Sequence, residues 1–134
     1  MIIDEALWAP VPVPIDQVAT EVSKRFLLPA FDIDAENIWE WAEVLMPSLH
    51  VWLNLTRRHD KGTPRLKDKM MIRFFADEPP AEELMPRITA FVDELAKFIA
   101  NEWKTPVIRG RIEYLRGEEY KYHERKRYAP QSAE

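Results

Sequence analysis

Cysteine is missing altogether from these 134 residues, which excludes disulfides, thiolate zinc sites, iron–sulfur clusters and cysteine nucleophiles. Glycine is nearly missing too: Gly62, Gly110 and Gly117 are the only three. So few glycines cannot build a phosphate-cradling glycine-rich loop, a Walker loop or a nucleophile elbow. No apolar run approaches the ~18 residues of a membrane span. The opening segment MIIDEALWAPVPVP carries two acids where an export signal needs bases, and three prolines break its apolar positions. Neither a signal nor a span is expected there, and a cytoplasmic location follows. The three histidines, His50, His59 and His123, fall in no HxH or HExxH pattern, so no metal or other cofactor is expected.

Hydrophobic residues make up 46% of the chain, with five Trp, six Phe and four Tyr. That is apolar area enough for one core, and a single domain over 1–134 is the expectation. The net charge of −4 conceals an asymmetry. Residues 1–50 hold nine acids against two bases, 51–103 balance nine against nine, and 104–134 hold eight bases against five acids. Solvated faces explain such a layout; so does an acidic face meeting a basic partner.

Along the chain, residues 1–14 read as an extended proline-rich lead, since Pro10, Pro12 and Pro14 suit an edge better than a central strand. Ile15, Val18, Ala19, Val22 and Phe26 recur at helical spacing and predict a helix ending before Pro29. A second, short helix is predicted from Asp32 to Met46, with Asp34 as N-cap and Ile38, Trp41, Ala42 and Leu45 on one face. Trp39 falls off that face; ordinary packing against the N-terminal segment is the first expectation, and covering a loop, closing a groove or sitting exposed are the alternatives. Val51, Leu53 and Leu55 then alternate with Trp52, Asn54 and Thr56, and Met70, Ile72 and Phe74 with Met71, Arg73 and Phe75, which predicts an antiparallel hairpin. Its connection, 57–69, is expected to have a mobile tip. Leu84 to Ile99 form the clearest amphipathic stripe, with Pro86 marking its start or kinking its first turn. Two more strands follow, 108–114 with a bulge at Gly110 and 119–128 with charges suited to an edge, before a frayed tail at 129–134. The order ααββαββ makes an α+β two-layer sandwich, an antiparallel sheet of about four strands against helices.

Function rests on surfaces, because no motif carries chemistry. The register assigns His50, Trp52, Asn54, Met71, Arg73 and Phe75 to the sheet face away from the core, and expects Arg109, Arg111 and Glu113 there too. Either another element such as the proline-rich lead covers this face, or it is an aromatic and arginine patch of the kind proteins use to bind proteins. The first functional reading is a non-enzymatic cytosolic binding domain, a bacterial immunity, inhibitor or adaptor protein. A basic protein partner would meet the acids Asp32, Asp34, Glu36, Glu40 and Glu43. The second is nucleic-acid binding by Arg73, Arg109, Arg111 and the basic C-terminal strand, opposed by the acidic pI of about 5.5. The third is a motif-free hydrolase or nuclease using His50 or His123 with Glu113 and an arginine. A homodimer, through an exposed edge strand or equally through the Trp52 face, is a further expectation.

Overall fold

The computed structural model describes residues 2–117 and 119–131. It overturns the sandwich with about four strands: one eight-stranded antiparallel sheet carries two helices on one face. The elements are β1 (Ile2–Ala9), α1 (Ile15–Phe26), β2 (Asp32–Glu36), β3 (Trp39–Met46), β4 (Val51–Asp60), β5 (Thr63–Pro64), β6 (Met70–Phe75), α2 (Met85–Trp103), β7 (Val107–Arg116) and β8 (Glu119–Tyr128). Across the sheet they lie in the order β2-β3-β4-β6-β1-β7-β8, with β5 pairing the end of β4.

The lead is the first correction. Ile2–Ala9 is a central strand between β6 and β7, and Ala6, Leu7, Trp8 and Ala9 are all buried. A strand buried on both faces shows a continuous apolar run rather than an alternation. The prolines begin only where the strand ends, in the crossing to α1, which agrees with their exclusion from central ladders.

The second correction is the helix expected from Asp32 to Met46. That segment is a hairpin of β2 and β3, turned by Asn37 at φ +56°, a left-handed conformation that asparagine tolerates. With glycine scarce, Leu27, His50, Lys61 and Lys104 take other left-handed positions. Helix α2 starts at Met85 with Pro86 in its first turn, after a short 3-10 turn at Glu82–Leu84. The 57–69 connection is partly ladder, since β4 runs to Asp60 and pairs β5 around Lys61 and Gly62. Of the expected frayed tail, 132–134 lie outside the described residues.

The main core lies between the helices and one sheet face. Val18 and Val22 of α1 and Val92, Leu95 and Ile99 of α2 meet Leu7, Val44, Leu53, Leu55, Ile72 and Phe74 of the strands. Phe26 joins the two helices, with ring centroids 5.1 Å from Phe91 and 5.8 Å from Phe98. At one end of this layer Arg57 is fully buried. Its guanidinium donates at 2.8 Å to the carbonyls of Val11 and Val13 and stands 3.7 Å from Glu40. The segment between β1 and α1 lies outside the sheet, so those carbonyls have no ladder partners, and the buried cation satisfies them. Burial pushes the Glu40 carboxyl up and the Arg57 guanidinium down from their ordinary values. Among the described residues no helix is long and apolar enough to cross a membrane.

Candidate binding face

The sheet face away from the helices is organised in cross-strand rows, because directly paired residues of antiparallel strands point the same way. One row runs Asp32, Glu43, Asn54, Arg73, Ala6, Gly110, Glu124 from edge to edge. The next runs Asp34, Trp41, Thr56, Met71, Trp8, Ile108, Arg127. In the first, Asn54 Nδ2 donates to Glu43 Oε2 at 3.1 Å, while the Thr56 hydroxyl donates to Asn54 Oδ1.

The face is curled into a cup. The β7–β8 hairpin has a bulge between Arg109 and Gly110 and folds back over the rows. Tyr122 reaches Trp8 at 5.0 Å between ring centroids, and Tyr120 reaches Trp39 at 5.9 Å. A Cβ at Gly110 would fall inside the His123 backbone carbonyl and 3.0 Å from the tip of the Trp8 indole, so only glycine permits this approach. Lys69 stands 4.4 Å from the Tyr122 ring and Arg73 5.7 Å from that of Tyr120, both within cation–π range. Burial raises the Tyr122 hydroxyl above its ordinary pKa. Between hairpin and sheet a cleft of about 600 Å³ remains, walled by Trp39, Met71, Tyr120 and Tyr122 and rimmed by Lys67 and Lys69.

The expected site residues therefore divide. Asn54 and Met71 are buried in the cup. Trp52, Arg73 and Phe75 are half-buried, and His50 is exposed in the turn before β4. The proline-rich segment does not cover this face; it crosses the helix side, and the β7–β8 hairpin lies over the part that holds Trp8, Met71 and Arg73. Arg109 lies on the opposite face, paired with core residue Leu7. Its Nε donates to Glu5 at 2.7 Å, and its other nitrogens donate to the Tyr128 hydroxyl and the Thr89 carbonyl of α2. Alternation puts Arg111 on the Arg109 side, opposite His123. The apolar positions Ile108, Ile112 and Tyr114 of β7 face the cup and not the helices, so its polar positions Arg109, Arg111 and Glu113 fall on the helix side, the reverse of the expectation.

Among the acids, Asp32, Asp34, Glu36 and Glu43 lie on the far face of the β2–β3 hairpin, whereas Glu40 points to the helix side with Arg57. Of the histidine reading, His123 and Glu113 do meet, Nε2 to Oε1 at 2.9 Å, with Arg111 3.8 Å from Glu113. The imidazole hydrogen bond holds the Glu113 carboxyl below its usual value. The pair is half-buried, and His50 lies in the turn before β4, with β6, β1 and β7 between β4 and β8. Among the described residues no group of three or more His, Asp or Glu stands close enough to hold a metal. Sequence reasoning missed Trp8, Tyr120 and Tyr122 as parts of the face; the alternation of Tyr120 and Tyr122 along β8 was the available signal.

Compared with known protein families, with curated proteins and with solved structures, the chain matches none.

Proposed function

We propose that this is a cytosolic, non-enzymatic binding domain, of the immunity, inhibitor or adaptor kind, that engages a basic polypeptide through the β2–β3 edge. The observation that carries the reading is the state of the acids there. Asp32, Asp34 and Glu36 stand exposed on the outermost strand, and none has an ion pair among the described residues. Their direct neighbours on the same face are Glu43, Trp41 and Trp39. Unpaired acids steer a basic partner, and half-buried tryptophans supply the desolvated anchors of an interface. The outer edge of β2 also offers unpaired backbone to an added strand, while its charges discourage indiscriminate pairing.

The basic end of the chain supports the same reading by being neutralised internally. Arg125 pairs with Asp4, Lys126 with Asp93 and Arg127 with Glu124. With Arg109 and Arg111 turned to the other face, the arginines invoked for nucleic acid do not form one surface.

The test compares the tagged native chain with the variant Asp32→Lys/Asp34→Lys/Glu36→Lys in capture from nuclease-treated native cytosol. One basic polypeptide held stoichiometrically by the native chain, released by salt and lost by the variant is the expected result. Capture unaffected by the charge reversal, or recovery of nucleic acid alone, contradicts the reading.

A further inference from the structure

We infer that the cavity at the β1 irregularity is a binding site for a small organic anion, a carboxylate or phosphate on a short apolar stem, held by Arg73. This site lies away from the acidic edge and does not depend on the function proposed for it.

The backbone creates the space. The ladder of β1 with β6 breaks between Ile2 and Ala6, and the ladder with β7 begins only at Ala6. Residues 3–5 bow out of register, and a cavity of about 310 Å³ opens beside them. Its walls include Ala6 and Ile112 as apolar surface, the acids Asp4 and Glu5, and the arginines Arg73 and Arg111.

The charges in this cavity are unequally satisfied. Glu5 is taken by Arg109 at 2.7 Å and Asp4 by Arg125 at 3.0 Å. Among the described residues Arg111 has a single long contact, 3.8 Å to Glu113, which is already bonded to His123. Arg73 has neither a hydrogen bond nor a carboxylate partner among the described residues, and its Nε is buried without an acceptor. The rings of Phe75 and Tyr120, 5.4 and 5.7 Å from the guanidinium carbon, restrain it.

A restrained guanidinium with unmade hydrogen bonds is prepared for an oxyanion, because the fork matches carboxylate or phosphate oxygens in pairs. Both acids of the lining are already paired, Glu5 with Arg109 and Asp4 with Arg125, so they do not compete for Arg73. At roughly 30 Å³ per displaced water, the space suits a ligand of about ten non-hydrogen atoms.

The experiment follows the Arg73 Nε–H resonance of the 15N-labelled full chain during separate titrations with inorganic phosphate and with isovalerate, at fixed ionic strength. Saturable binding with Kd of about 1 mM or tighter, accompanied by a shift of that resonance, is expected for at least one anion. Whichever binds identifies the headgroup. Arg73→Gln should weaken it about tenfold or more, and Arg73→Lys, which keeps charge but loses the fork, should weaken it as well. The acidic-edge variant should bind as the native chain does. No resonance shift with either anion, or equal binding by Arg73→Gln, overturns the site. Should the variants fail to fold, the native resonance decides alone.

Discussion

Trp39 of β3 and Tyr120 of β8 stand 5.9 Å apart, edge to face, although β4, β6, β1 and β7 lie between their strands. That contact closes the cup: it converts an open twisted sheet into one whose second face is largely sheltered. It also explains how Met71 and Asn54 can be buried without a second helical layer. An edge-to-face aromatic pair adds about 1 kcal/mol beyond the area it buries.

Trp39→Ala should therefore loosen the hairpin before it harms the core. A loss of about 1–2 kcal/mol is expected in denaturant unfolding. Native-state hydrogen exchange should quicken at 112–122 and stay unchanged in α2. Equal protection in the hairpin would show that the aromatic contact does not hold it.

Arg57→Met removes the cation from carbonyls that no other described side chain satisfies and leaves the half-buried Glu40 without its partner. The expected cost is about 3–5 kcal/mol, read as a lower denaturant midpoint. A loss below about 1 kcal/mol would mean that water replaces the guanidinium freely.

Gly110→Ala sets a side chain against the His123 backbone and the Trp8 indole. Backbone cannot yield as a flexible side chain can, so a loss of more than about 2 kcal/mol is expected. Gly117→Ala is the control, since it has open space and only a left-handed φ of +54° to resist it; about 1 kcal/mol is expected there. Similar melting temperatures for the two variants would contradict the close approach.

Asp93 of α2 accepts from Lys97 at 2.9 Å, the Tyr128 hydroxyl at 2.8 Å and Lys126 at 3.4 Å. These contacts, Lys97 foremost, pull its carboxyl from 3.8 to about 2. A folded value below the unfolded one gives stability that is present above the unfolded pKa and lost as the pH falls through the folded one. Asp93→Asn should cost about 1 kcal/mol near neutrality, allowing for its partial exposure. Unfolding at a series of acid pH values should show that difference fading between about pH 4 and 2. A difference independent of pH would assign the effect to packing.

Much of this architecture is legible in the chain, and the illegible parts have physical causes. The stripes of α1 and α2 and the alternation in β4, β6, β7 and β8 are visible because each such element has one buried and one more polar face. β1 has no such contrast: Ala6 and Trp8 are buried in the cup while Leu7 and Ala9 are buried under helices, and the prolines beyond it disguise a central strand as a lead. The β2–β3 hairpin misleads for a related reason. Trp39 and Trp41 on one side oppose Ala42 and Val44 on the other, so apolar residues fall at both periods, and Asn37 was the one local turn signal. The face of Trp52, Arg73 and Phe75 follows from alternation, but its cover does not, because a contact between Trp39 and Tyr120 depends on how far the whole sheet curls.

That curl is most directly tested by a nuclear Overhauser experiment on the aromatic protons of Trp39 and Tyr120. In a flat sheet five strand spacings of about 4.8 Å would hold the rings roughly 24 Å apart, far beyond detection. A cross-peak between the two rings, lost in Tyr120→Leu, is the expected result. Its absence in a folded sample would contradict the closed cup, and with it the sheltered cleft beneath the hairpin.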